Sequence, residues 1–346
     1  MRNSIIIPNR LNWIDWAKSL AIAFVVFGHI PEERGSFLIN YIVIFHMPLF
    51  FFISGYLTKK EFPNKNTFRK YWHTLVIPYF FYNIIFYPYW VVRHVIDYPN
   101  SGWFDFVKPI IGTFMLQHKT AYYESLNGVT WFISSLLIMK LILSLCNKYK
   151  YGNFMIGLLT SLVALIYLVN EHFRFITDLP FVGFTRCFPF FILGHLCKQK
   201  RLISQPHQED WIRSIIFIGI SLITYTYLRS TYGFYQYSLC FWIICTSAIG
   251  GMICICKSLD MFHFIIIDNI SIGTIVIMGL HWILIGITNF SLSKILNVHG
   301  NITYPWYISI CLTLLFMTIL YPIIIFFKNK YPFLLGKWKP TPEKYN

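Results

Sequence analysis

The chain has 346 residues, 56% of them hydrophobic and 12% charged, about half the charged share of a soluble domain. With a mean hydropathy of +0.55 it cannot cover a water-facing surface, which excludes secreted, cytosolic and disordered classes. A net charge of +15 would suit nucleic acid, but the basic residues sit in short loops between apolar runs and form no contiguous face with stacking aromatics. Membrane lipids are the expected partner, and no nucleic acid.

Apolar runs near the ~20 residues that cross a bilayer core recur at 13–30, 38–57, 73–95, 130–146, 153–170, 180–197, 212–229, 234–256, 264–288 and 304–327. They predict an all-α polytopic integral membrane protein with about ten transmembrane helices. One membrane domain is expected over 1–346, with a short tail from about 328. The stretch 103–117 holds Asp105, Lys108 and Pro109 and reads as an interfacial amphipathic helix. Loops on one side carry nineteen Lys and Arg residues against seven on the other. Cytoplasmic loops hold that excess, so both termini are expected in the cytoplasm. The eight cysteines lie in or beside apolar segments, without a paired framework or the ligand spacing of a zinc site. Neither a disulfide nor a metal is expected.

An ionisable side chain at the centre of a membrane helix costs at least about 2.5–3.5 kcal/mol, so the polar residues of the spans carry the functional signal. Span one reads Asp15-Trp16-Ala17-Lys18, then an apolar run to Gly28-His29. Eleven residues make about three turns and rise ~16 Å. Lys18 and His29 therefore share a face, one in the inner half and one near the outer end, and Asp15 is placed to pair with Lys18. The plain alternative has Asp15 and Lys18 snorkelling to one interface and His29 capping at the other. Span two carries His46 in its outer half, followed by Pro48, which frees a backbone carbonyl nearby. Arg69, Lys70 and His73 lead into span three, as positive-inside anchors or as a docking patch for an anionic cofactor. Trp131 opens span four and suits an aromatic belt. Arg186 lies about a third of the way into span six, and His281 in the outer half of span nine. His29, His46, Arg186 and His281 thus gather in the outer half, and Lys18, Arg69, Lys70 and His73 on the inner side. A basic mouth would suit a phosphorylated donor, and imidazole is the natural general base near neutral pH.

The basic residue, ten residues and Gly-His pair (Lys18 to Gly28-His29) resemble the signature of the acyltransferase-3 family of integral membrane acyltransferases. His46-Met47-Pro48-Leu49-Phe50-Phe51-Phe52-Ile53-Ser54-Gly55 looks like that family's second hallmark. Trp131-Phe132-Ile133, Phe188-Pro189-Phe190-Phe191-Ile192-Leu193-Gly194 and Asn269-Ile270-Ser271-Ile272 followed by His281 resemble its later segments, in order. Where members often carry Arg-x-x-Arg, this chain has Arg69-Lys70-Tyr71-Trp72-His73. The resemblance implies transfer of an acyl group, usually acetyl, from acyl-CoA to a hydroxyl of a sugar or polysaccharide precursor, free or lipid-linked, at a bacterial inner membrane. It makes His29 the catalytic base and Lys18 its basic partner. Arg186 or His281 would stabilise the oxyanion, His46, Trp131 and Asp15 would contact substrate, and Arg69, Lys70 and His73 would bind acetyl-CoA. A transporter or flippase of a lipid-linked sugar or small anion is the alternative, since intramembrane charges serve transporters equally. It lacks an inverted repeat and matched broken spans. A glycan polymerase would want a large exterior loop.

Overall fold

The computed structural model describes residues 11–33, 36–116, 126–173, 175, 179–232, 240–298 and 302–337. Arg2, Arg10, Arg34, Lys119, Arg174, Lys339 and Lys344, all part of the charge asymmetry, lie outside them, as does the start of the span expected at 234–256. The elements in order are α1 (Asn12–His29), α2 (Phe37–Leu57), α3 (Lys65–Tyr71), a π-turn (Trp72–Val76), α4 (Ile77–Asp97), α5 (Trp103–Phe114), a 3-10 turn (Gly128–Thr130), α6 (Trp131–Asn147), α7 (Gly152–Phe173), α8 (Leu179–Gln199), α9 (Asp210–Tyr232), α10 (Cys240–Ser258), α11 (Ile265–Ile272), α12 (Thr274–Ile295), α13 (Trp306–Lys330) and a closing 3-10 turn (Pro332–Leu335).

Among the described residues, eight helical segments are long and apolar enough to cross a membrane: α2, the run from α3 through α4, α6 with its preceding turn, α7, α9, α10, α12 and α13. The other two expected spans, α1 and α8, hold Asp15, Lys18, Arg186 and Lys198, which lower their hydropathy. They are sheltered instead: α1 packs on α2, α10, α11, α12 and α13, and α8 on α2, α6 and α7. Apolar side chains of α7, α9 and α13, such as Leu158, Ile223 and Leu314, are exposed, as lipid-facing residues are.

Two departures from straight spans have local causes. The run expected at 264–288 is two helices that break at Gly273. A side chain at Gly273 would collide with Ile324 of α13, so the break lets α11 and α12 lie against that helix. Before Pro78, which has no N–H to give, the helix widens into the π-turn, where Ile77 N–H reaches Trp72 O. The helix expected at 103–117 forms as α5, where Asp105 accepts from the Gly102 N–H at 2.9 Å.

The central pair is α2 with α8. Arg186 meets Ile44, and His195 meets Thr58, so the two helices run parallel. A Cβ at Gly55 would strike the Phe191 carbonyl, and one at Gly194 the Phe52 carbonyl. Without a hydrophobic drive in lipid, such backbone proximity through small residues is what joins the helices. Helices α4 and α12 are parallel too. Tyr82 fills the space over Gly279, Tyr89 that over Gly286, and Arg93 lies 4.8 Å from the Phe290 ring.

Gly55→Ala and Gly194→Ala are expected to lower the thermal midpoint of the detergent-solubilised protein by several degrees. Gly157→Ala, where no atom lies within 4 Å of the added methyl, should leave it unchanged or slightly raised. Equal midpoints for all three variants, by fluorescence-detected gel filtration after heating, would refute the α2–α8 packing.

Candidate active site

Helix α1 is anchored at both ends. At its start the Trp13 N–H donates to Asp260 Oδ1 at 2.7 Å, while Asn12 Nδ2 donates to the Asp260 carbonyl at 2.6 Å. The acidic group satisfies an orphan N–H and favours the positive helix end. Six residues into the helix, Lys18 Nζ donates to the Ser271 carbonyl, and the Ser271 hydroxyl donates to Asp15 Oδ1 at 2.5 Å. Ser271 lies in the last turn of α11, where the break at Gly273 leaves carbonyls without helical donors. Lys18 therefore caps α11, and Asp15 joins through the same serine.

Lys18 and Asp15 line a cavity of about 680 Å³ with Lys59, Lys60, Lys198 and Lys337. Among the described residues, five lysines face one carboxylate. The ammonium of Lys198 stands 5.0 Å from the Tyr56 ring centre. His195 is buried in its wall, with Nδ1 donating to the Thr58 carbonyl at 3.1 Å and Nε2 accepting from Gln199 at 2.8 Å.

At the far end of α1, His29 Nδ1 lies 2.7 Å from the Val25 carbonyl. A carbonyl only accepts, so Nδ1 carries the hydrogen and Nε2 keeps its lone pair. His46 and His281 repeat the arrangement, with Nδ1 donating to Ile42 O at 3.1 Å and to Ile277 O at 2.8 Å. The His29 and His281 rings meet edge to face, 5.0 Å between centres, and His29 lies 5.6 Å from Trp282. His281 is fully buried, and its Nε2 has no partner among the described residues. His46 packs across Gly28, where a Cβ would come within 3.8 Å of its ring and 3.1 Å of Val43. The Gly of the Gly-His pair thus lets α2 bring the second imidazole to the first. His29 also opens onto a second cavity of about 540 Å³ with Tyr89, Arg93, Trp282, Asn289 and Ser293 in its wall.

The structure therefore brings His29, His46 and His281 together from α1, α2 and α12. Arg186 reaches α2 two residues before His46, and its Nη2 is engaged there. It donates to the Ile44 carbonyl at 3.0 Å, and the guanidinium covers Phe241 at 4.8 Å. Ile44 is four residues before Pro48, so this is the carbonyl that the proline deprives of its helical donor. Arg186 Nε is buried without a partner among the described residues.

Trp131 lies against Phe51 and fills the space over Gly183, and it lines neither cavity. Arg69, Lys70 and His73 also stand outside the lysine-lined cavity, which draws its cations from α1, the segment just after α2, the end of α8 and Lys337 beyond the closing turn. Lys70 is turned to Glu61 in an ion pair. Burial pushes the Glu61 carboxyl up, but hydrogen bonds from Lys70 and Tyr71 outweigh it and hold the group below the ordinary carboxylate range.

One group was not read from the sequence. Asn83, Asn127 and Thr130 are wholly buried. Asn83 Nδ2 donates to Thr130 Oγ1 at 3.1 Å, and Asn127 Nδ2 donates to the Gly279 carbonyl at 3.0 Å. Trp282 rests on Gly128. The network ties α4 and the turn before α6 to α12 just ahead of His281 and Trp282. Its signal was present: Asn83 is a lone amide in a long apolar helix, and a buried amide needs partners.

A family model described as an acyltransferase domain matches residues 11–336. No curated protein and no solved structure matches the chain.

Two outcomes are expected from these contacts. Arg186→Met should destabilise the protein by about 1–3 kcal/mol by orphaning a buried carbonyl. Adding Pro48→Ala, which returns a helical N–H to Ile44, should recover most of that loss; strict additivity of the two changes would disprove the assignment. For Glu61, a carboxyl depressed in the fold stabilises above its unfolded value, ordinarily 4.5, and the contribution disappears as pH falls through the folded value. The stability difference between wild type and Glu61→Gln should therefore shrink below about pH 4.5; a constant difference from pH 7 to pH 3 would contradict the Lys70 pairing.

Proposed function

The chain belongs to the acyltransferase-3 family, and from that premise we propose that this multi-pass membrane acyltransferase moves an acetyl group from acetyl-CoA to a hydroxyl of a cell-envelope sugar or polysaccharide precursor. The observation that carries the reading is helix α1. It presents Lys18 to a lysine-lined cavity at one end and His29 to a polar cavity at the other, about 16 Å apart on one face. With the lysine end in the cytoplasm of a bacterial inner membrane, a soluble, phosphorylated donor and an envelope acceptor approach from opposite sides.

In this reading Lys59, Lys60 and Lys198 take the phosphates of CoA, in place of Arg69, Lys70 and His73. Ammonium groups suit phosphate as point charges, and these line the cavity that Lys18 enters. The pantetheine arm carries the thioester along α1 to His29. His29 Nε2 takes the proton from the acceptor hydroxyl as its oxygen attacks the thioester carbonyl. The tetrahedral oxyanion collapses, the carbon–sulfur bond breaks, and the proton passes from His29 to the departing thiolate. The hydrogen bond from Nδ1 to Val25 O keeps the lone pair on Nε2, as a base requires. His281 carries its hydrogen on Nδ1 and offers only a lone pair, so it steadies the imidazolium formed on His29. Arg186 holds a permanent charge and a spare N–H, and of the two it suits the oxyanion. Lys18, through Ser271, holds α11 to α1 and so places the donor channel.

His29→Ala is expected to abolish acylation of surface glycans and Lys18→Met to reduce it by tenfold or more, as an order of magnitude for a lost catalytic or positioning group, when each is returned to a deletion strain at matched membrane levels and the glycans are weighed by mass spectrometry. In membranes, turnover should fall as pH drops through the range where an imidazole charges. Full restoration by His29→Ala would defeat the proposal. Unchanged acylation alongside altered glycan export in the deletion strain would favour a transporter.

A further inference from the structure

The cavity beside His29 is longer than the reacting groups need. Trp282, Gly286, Asn289 and Ser293 line it from α12. Their spacing of four, three and four residues sets them on one face. From Trp282 to Lys294 that face rises about 18 Å. Near His29 it offers an indole. Further along come an amide and a hydroxyl, with Asn289 steadied by the Tyr304 hydroxyl at 3.0 Å. At its far end two cations flank the Phe290 ring, Arg93 of α4 at 4.8 Å and Lys294 at 5.6 Å. Arg93 is shared with Asp97 at 3.1 Å. Lys294 has no ion pair among the described residues, and Asp97 is the one acid in the lining. The remote end of the cavity therefore holds surplus positive charge.

Lys294 alone would suit the negative end of α12, but that does not bring Arg93 from another helix to the same ring. An indole packs on the C–H face of a sugar, and amide and hydroxyl groups bond its hydroxyls. One sugar ring at His29 cannot also reach Lys294, whereas an oligosaccharide can. We infer that the acceptor is an acidic oligosaccharide segment, whose reacting sugar packs on Trp282 with a hydroxyl at His29 while a carboxylate or phosphate on a sugar further along pairs with Lys294 and Arg93. The placement of the reacting hydroxyl rests on the proposed acyl transfer; the anionic end rests on the α4 and α12 lining.

The test is binding by saturation-transfer NMR to the full chain in phosphatidylcholine nanodiscs. The probes are a tetrasaccharide of alternating glucose and glucuronate and an all-glucose tetrasaccharide. The acidic probe should bind about tenfold tighter, with the advantage reduced to about twofold in 0.5 M salt. Lys294→Gln should likewise erase most of it, and Lys150→Gln, an exposed lysine that lines neither cavity, should keep it. Equal affinity of the two probes for the wild type would overturn the proposal, as would a preference that survives in both Lys294→Gln and Arg93→Gln. Loss of acidic-probe binding when phosphatidylglycerol is added would assign the cations to lipid headgroups and also overturn it. Binding is read without turnover, so a preference that stands while acyl transfer is absent defeats the acyl-transfer reading alone.

Discussion

Two cations within the bundle, Lys18 and Arg186, are held by backbone carbonyls that irregular helices leave without their own donors. Lys18 takes the Ser271 carbonyl where α11 breaks at Gly273. Arg186 takes the Ile44 carbonyl that Pro48 releases. In lipid an unsatisfied carbonyl and an unsatisfied cation are each expensive, and each of these defects settles one of both. The breaks and the charges therefore belong together: a straight α11–α12 would leave Lys18 without this acceptor, and an α2 without proline would leave Arg186 to find another.

The same economy sets the imidazoles. His29, His46 and His281 each spend Nδ1 on the carbonyl one turn back along their own helix. This fixes each ring against its helix and leaves three Nε2 atoms as the free chemistry of the cluster. What distinguishes the three is setting: His29 meets a cavity, His46 lies behind Gly28, and His281 is sealed with an orphan nitrogen.

Most of the architecture was legible because span length and hydropathy are local properties of the chain. Lys18 and His29 on one face followed from helical spacing, and the freed carbonyl near His46 followed from proline chemistry. That Arg186 would be its partner did not follow, because pairing between distant helices is a property of packing. The break at Gly273 was hidden for a similar reason: Ile324, fifty-one residues later, is what forbids a side chain there. The sequence places Lys18, Arg69, Lys70 and His73 on the inner side; Lys18 lines the basic cavity, whose other lysines come from the ends of α2 and α8 and from Lys337. Parallel packing carries those ends alongside Lys18, and nothing in the local sequence announces it.

The tyrosine sockets on α12 have a mechanical meaning. Tyr82 over Gly279 and Tyr89 over Gly286 key α4 to α12 at two levels seven residues apart on each helix. Two keyed levels forbid both sliding and relative rotation, so the pair behaves as a single beam. Any widening that admits a bulky acceptor must then come from the elements around this pair and not from within it.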